Sequence, residues 1–234
     1  MYDGFSSDSS LRQTLACLRQ PAGPFDYLIA TGDLAHDETR DTYLRIRELF
    51  EPWLPKCLFL PGNHDCRESL FELLPNHLLR QGDRVNFVVN AGEWRLIGLD
   101  SHVPGKIPGY LGPEQIDWLH RELASAPQAL TMLFIHHPPV TVGSPWLDEI
   151  GLTDAEEFWG VIQGPIPVQA ICCGHIHQEL EVERNGAVVL ATPSTSIQFI
   201  PRTLKPEYDS MPPGFRILDV CATGFDTRVV RLGR

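Results

Sequence analysis

Four short polar clusters in this sequence carry residues that can do chemistry. They are Gly32-Asp33, Gly62-Asn63-His64-Asp65, His136-His137 and Gly174-His175-Ile176-His177, and each follows an apolar run. Together they offer a carboxylate, an amide oxygen and several imidazoles. That mixture of oxygen and nitrogen donors suits Mn²⁺, Fe or Zn²⁺ better than Ca²⁺ or a thiolate site. A carboxylate can bridge two ions while neutral imidazoles hold one each. Two ions about 3.5–4 Å apart can clamp a phosphate and activate a hydroxide between them. Taken singly, Gly-Asp is a common turn and His-His before Pro-Pro a common strand end. The four in this order, each after an apolar run, point to a metal centre.

The elements that must position these clusters are legible in the apolar pattern. Helical spacing of Leu11, Leu15 and Leu18 predicts a helix over 9–20, with Asp8 and Ser9 as caps. Phe25 to Ala30 and Cys57 to Leu60 read as buried strands on either side of an amphipathic helix from Thr39 to Trp53. Residues 67–79 read as helical, interrupted by Pro75. Val85 to Val89 and Trp94 to Leu99 form a hairpin. A helix from Pro113 to Ala124 leads into a strand from Leu130 to Ile135. A helix from Thr153, as cap, to Ile162 leads into a strand from Pro167 to Cys173. Beyond this the strand–helix alternation gives way to two hairpins. One turns at Asn185-Gly186, the other at Thr223-Gly224. No linker or repeat divides the chain, so one α/β domain of mixed sheets with helices outside is expected. In open α/β sheets ligands bind beyond the carboxyl ends of strands, where all four clusters fall.

Composition narrows the class. Over 234 residues, 30 acids against 19 bases give a formal charge of −11. That disfavours a polymeric nucleic-acid partner, which needs a basic face. No apolar run is long enough to span a membrane, and the first residues do not read as a signal peptide. The six cysteines form no CxxC pair. Cys17, Cys57, Cys172 and Cys173 sit in or beside apolar runs, as reduced thiols of a cytoplasmic protein would.

The segments GDLAHD, GNHD, HHPP and GHIH resemble the signature of the calcineurin-like metallophosphoesterases. ATGDLAHDETRDTY, LPGNHD, GLDSHVPG, LDEIGL and CGHIHQELEVERNG with LATPSTSIQF are similar to one branch, the class III cyclic-AMP phosphodiesterases of the CpdA type. The resemblance runs from about Leu11 to the end of the chain. It implies an α/β (α+β) fold: a four-layer αββα sandwich of two mixed β-sheets flanked by helices. It implies two divalent metal ions, Fe and/or Mn. Asp33 would bridge them. Asn63, His136 and His175 would complete the second site, and His177 would ligate the first. His64 would face the leaving oxygen as general acid or hydrogen-bond donor, oriented by Asp65. His137 receives no ligand role. The implied reaction is hydrolysis of 3',5'-cyclic AMP to 5'-AMP by in-line attack of a metal-bridging hydroxide, on a small-molecule substrate without a membrane or nucleic-acid partner.

The family pattern opens with a strand ending in D-x-H, whose two side chains ligate the first metal. No D-x-H precedes Asp33 here. The expectation is therefore an N-terminally incomplete domain over 1–234, an impaired first site, and a poorly stable protein when this chain is expressed alone. Two alternatives stay open on the sequence: another phosphoesterase of the same fold, or a binding scaffold without catalysis. Trp146, in the loop after HHPP, is a candidate either to cover the site or to pack its loop, with packing preferred. Asp154, Glu156 and Glu157 are expected to form a solvated face. Thr192, Ser194 and Thr195 are candidates either for nucleotide contact or for a hairpin end. Oligomeric state, base preference and metal identity are not legible.

Overall fold

The computed structural model describes residues 6–18, 24–74, 80–163 and 168–233. The chain begins α1 (Ser7–Cys17), β1 (Leu28–Ala30), α2 (Arg40–Phe50), β2 (Cys57–Phe59) and α3 (Arg67–Leu73), with a 3-10 turn over Glu51–Lys56. Then come a short pair, β3 (Arg80–Gln81) and β4 (Arg84–Val85), followed by β5 (Phe87–Ala91), β6 (Trp94–Leu99), α4 (Gly112–Ser125), β7 (Leu130–Ile135), α5 (Pro145–Asp148), α6 (Ala155–Ile162) and β8 (Val168–Cys173). The last part holds β9 (Leu180–Arg184), β10 (Ala187–Ala191), β11 (Gln198–Phe199), β12 (Tyr208–Asp209), β13 (Gly214–Cys221) and β14 (Gly224–Arg231).

Six strands form a mixed sheet in the order β5-β6-β7-β8-β10-β9. Its centre, β6 to β10, is parallel, and both edges are antiparallel hairpin strands. Parallel strands covered on both faces read as continuous apolar runs, and β7 and β8 do so. A second layer consists of the parallel pair β1–β2 and the antiparallel hairpin β13–β14.

Strand alternation sorts the side chains into three cores. On β7, Leu133 and Ile135 face α4 and α6 with Leu119, Phe158 and Trp159. Met132 and Phe134 face the opposite way, toward Leu58 and Leu60 at β2 and Leu218 and Val220 of β13. On β2, Cys57 and Phe59 turn to the outer helices, against Leu15 of α1, Tyr43 and Ile46 of α2 and Leu70 of α3. Helices, sheet, strands and helices thus give the four-layer αββα arrangement. Trp94 ties the two strand layers, donating from Nε1 to the Cys221 carbonyl at 2.7 Å and meeting Phe225 edge-on.

Local expectations hold in most elements and shift in some. The 185–186 turn closes β9 onto β10 with Asn185 and Gly186 both at positive φ, as a two-residue hairpin requires. The helix from Thr39 ends at Phe50, because Pro52 and Pro55 favour the tighter 3-10 turn. The strand at Phe25–Ala30 is ordered as β only from Leu28. The stretch 75–79 of the expected 67–79 helix, residues 19–20 and Pro167 lie outside the described residues.

Asp154 corrects two expectations. It, and not Thr153, is the cap residue of α6, and it is buried at 6% exposure. Its carboxylate reaches across to accept from the Leu111 and Gly112 N–H groups at the start of α4. A carboxylate there satisfies orphan donors of a helix N-terminus, so Asp154 joins two helices and is not part of a solvated face. Glu156 does lie at the surface, paired with Arg184, and Glu157 is exposed.

Candidate metal centre

The four clusters meet along one edge of the sandwich. Asp33 follows β1, the Gly62–Asp65 loop follows β2, His136 follows β7 directly, and His175 follows β8. Both strand pairs run parallel, so their carboxyl ends lie on one side.

Asp33, Asn63, His136 and His175 form the inner cluster. Asn63 Oδ1 lies 2.9 Å from His175 Nδ1 and 3.2 Å from His136 Nε2. The two ring nitrogens are 3.2 Å apart, and Asp33 Oδ1 is 3.4 Å from His136 Nε2. His136 Nδ1 lies 2.7 Å from the Thr31 carbonyl, which can only accept, so Nδ1 carries a proton. In the neutral form of the ring, the one that takes a metal, Nε2 is then a lone pair facing a carboxylate and an amide oxygen. Acceptors turned toward one another in a buried site are what a divalent cation relieves. This donor set, oxygen plus imidazole without thiolate, fits Mn²⁺, Fe or Zn²⁺.

The ionisation states agree with that fit. Burial pushes His175 down to about 3 and His177 down to about 4, so both rings are neutral. Burial works to raise Asp33, but His136 and the His64 backbone N–H outweigh it and hold the carboxyl below its usual value. That N–H donates to Asp33 Oδ1 at 3.0 Å. Two buried imidazole nitrogens at the site, His175 Nε2 and His177 Nδ1, have no protein partner.

The backbone is bent to bring these side chains in. Asp33, His175 and His177 all adopt left-handed φ, at 57°, 66° and 53°. Such non-glycine positions cost of order 1 kcal/mol or more each and gather at functional sites. Gly62 has a packing reason: a Cβ there would collide with the Asp33 carboxylate and backbone N. Gly32, at φ 104°, would bring a Cβ to 2.5 Å from His136 Nδ1.

His137 belongs to the same imidazole group by distance, yet both its nitrogens are engaged. Nε2 donates to the Ile107 carbonyl and Nδ1 accepts from Ser101 Oγ, each at 2.8 Å. It is a buried strut beside His136 and His175.

His64 is half-buried, and its ring packs 4.4 Å from that of His36. Asp65 was expected to orient His64. Its carboxylate instead accepts from the N–H groups of Gly62, Leu34 and Ala35 and from the Tyr43 hydroxyl. It therefore stitches the Asp33 loop to the Asn63 loop. Tyr43 in turn accepts from Cys66 N–H at 2.7 Å. Tyr43 reads in the sequence only as an apolar helix position, so its polar end carried no signal. Asp37, the last residue of GDLAHD, accepts from Thr39 and Thr42 at the start of α2.

Arg67, two residues beyond Asp65, forms a buried bidentate pair with Asp100 at 2.6 and 2.9 Å. Ser194 and Thr195 offer backbone carbonyls to Gly214 N at the start of β13 and to Ser10 Oγ of α1. Thr192 N–H donates to the Cys173 carbonyl. Trp146 packs edge-on against Phe199.

Comparison with known proteins agrees with this geometry. The calcineurin-like phosphoesterase family matches residues 5–179. The 3',5'-cyclic adenosine monophosphate phosphodiesterase CpdA of Vibrio vulnificus is 40% identical over 89% of this chain and 75% of its own length. That of Escherichia coli K12 is 37% identical over 98% and 82%. A 3',5'-cyclic-nucleotide phosphodiesterase of Nostoc is 32% identical over 98% and 85%. Among solved structures, a dimetal phosphatase from Danio rerio superposes with a TM-score of 0.64 at 15% identity, covering 97% of this chain and 89% of that one. A purple acid phosphatase from yellow lupin superposes at 0.61 and 13%, covering 93% and 45%. These two show the fold.

Proposed function

The chain belongs to the calcineurin-like phosphoesterase family, and on that premise we propose that it is a metal-dependent hydrolase converting 3',5'-cyclic AMP to 5'-AMP. The observation that carries this reading is the convergence of Asp33, Asn63, His136 and His175 on one point, with the His136 lone pair turned inward by Thr31. The relatives of 32–40% identity are cyclic-nucleotide phosphodiesterases by name.

Asn63, His136 and His175 would hold one divalent ion together with Asp33, and His177 would serve a second position. The donor set fits Mn²⁺, Fe or Zn²⁺, and the family resemblance favours Fe and/or Mn among them. Bound there, they supply Lewis acidity to the phosphoryl oxygens and activation of water at neutral pH. The protein does the rest. Asp33 and the neutral imidazoles fix the centre, and Asp65 with Tyr43 locks the two loops that carry Asp33 and Asn63. His64, at the mouth of the site, donates a hydrogen bond or a proton to the departing ribose oxygen. The local positive charge of bound ions lets a protein of net charge −11 take an anionic cyclic nucleotide.

No helix among the described residues is long and apolar enough to cross a membrane. All six cysteines are unpaired, which supports a reducing, cytoplasmic setting. Turnover of cyclic AMP against bis(p-nitrophenyl) phosphate tests the substrate. A clear preference for the cyclic nucleotide supports the proposal; rapid cleavage of the artificial diester with none of cyclic AMP overturns it.

A further inference from the structure

Two histidines of the site, His136 and His137, have their ring planes set by hydrogen bonds. His136 uses the Thr31 carbonyl, and His137 uses Ser101 and Ile107. His177 is held differently. Its Nδ1 is buried without a hydrogen-bond partner, and its backbone sits at φ 53°. The ring's contact comes from Phe199. Phe199 stacks on it, with centroids 5.1 Å apart and planes within 26°. Phe199 N–H also faces the His177 carbonyl at 3.4 Å.

Phe199 is itself fixed. Trp146 meets it edge-on at 5.1 Å and 81°, and Tyr208 stacks at 5.6 Å and 27°. Trp146 together with Phe199 and Tyr208, which pair across β11 and β12, thus builds one aromatic brace whose inner end is the His177 imidazole. Aromatic pairs in offset-stacked and edge-on geometries attract beyond their buried area, which favours one ring orientation. The brace also explains part of the LATPSTSIQF segment that the proposed chemistry leaves unused.

Resting on the reading of His177 as a metal ligand, we propose that Phe199 is a positioning residue: its ring fixes the plane of the His177 imidazole and so sets the affinity of the metal position that His177 serves. Groups that orient a ligand typically contribute about 10–100-fold in metal affinity. Orientation by stacking makes a specific demand. A flat ring must be kept, whereas apolar volume alone is not sufficient.

The test is calorimetric titration of metal-stripped protein with Mn²⁺, comparing wild type with His177→Ala, Phe199→Leu and Phe199→Tyr. Thermal melts of each variant confirm folding. Phe199 is only half-buried on a two-residue strand, so both replacements are compatible with the fold. His177→Ala weakens Mn²⁺ binding, Phe199→Leu weakens it by about 10-fold, and Phe199→Tyr stays close to wild type. If His177→Ala leaves binding unchanged, the ligand reading fails and this inference falls with it. If His177→Ala weakens binding but Phe199→Leu does not, the ligand reading stands and the positioning role is overturned. Equal weakening by Leu and Tyr also overturns it, because ring planarity would then be irrelevant.

Discussion

The Nδ1–H of His136 is donated to the Thr31 carbonyl at 2.7 Å, and that bond turns Nε2 toward Asn63 Oδ1, 3.2 Å away. A backbone carbonyl at the end of one strand thereby chooses the tautomer of a side chain at the end of another. The inner cluster depends on this choice, since a proton on Nε2 would exclude a cation.

Asn63→Ala and His175→Ala each remove a donor from that cluster. Metal content and cyclic-AMP turnover fall together, each by about 10-fold or more. Elemental analysis of the purified variants, read beside turnover, checks this. Full metal content with lost turnover would assign these side chains to substrate and not to metal.

His64→Ala separates chemistry from metal binding. Turnover drops by about 100-fold or more, the scale of general acid–base assistance, while metal content stays near wild type. An emptied site in this variant would contradict the role given to His64.

Gly62→Ala places a methyl group against the Asp33 carboxylate. The loop must shift, at about 1–3 kcal/mol, and metal content falls although no donor has been deleted. Unchanged metal content would show that the two loops are not held as closely as the structure has them.

Tyr43→Phe deletes the hydroxyl that donates to Asp65 and accepts from Cys66 N–H. Leaving a buried N–H unpaired costs about 1–3 kcal/mol, read as a lower denaturant midpoint. Wild-type stability would remove Tyr43 from the account of the loops.

His102 gives a pH signature. It is 4% exposed, and burial lowers its ring to about 4, with Arg67 adding to the effect. The unfolded chain takes up the proton near 6.5, before the folded one does. Its contribution to stability is therefore present above about 6.5 and lost as pH falls from there through 4. Allowing for solvent screening, the loss is of order 1 kcal/mol. Denaturant midpoints of wild type and His102→Leu at pH 7 and pH 4.5 measure it. The variant shows the smaller drop; parallel drops would mean His102 does not contribute.

The sheet and the site were legible where signal is local. Apolar runs ending in polar tips located β7 and β8, because strands buried on both faces carry an unbroken pattern. Asn185-Gly186 located a hairpin, because its turn demands positive φ. The clusters themselves named Asp33, Asn63, His136, His175 and His177 as candidates, and the fold brings the first four within 3.4 Å of a neighbour in the cluster. What stayed hidden is long-range. Asp154 looks like a surface acid until the start of α4 is placed beside it. Asp65 looks like a partner for its neighbour His64 until the Asp33 loop folds over it. Tyr43 and Phe199 read as ordinary apolar positions, since nothing in their local sequence says what their far ends touch.

The central claim is that Asp33, Asn63, His136 and His175 form a metal centre on which hydrolysis depends. The most direct measurement is 5'-AMP formation by chelator-stripped protein as Mn²⁺ is returned, with bound metal quantified at each point. Turnover should be absent in the stripped protein and rise in proportion to bound metal, and His175→Ala should fail to recover at the same Mn²⁺ concentration. Cyclic-AMP hydrolysis at full rate by protein shown to hold no metal would contradict the account.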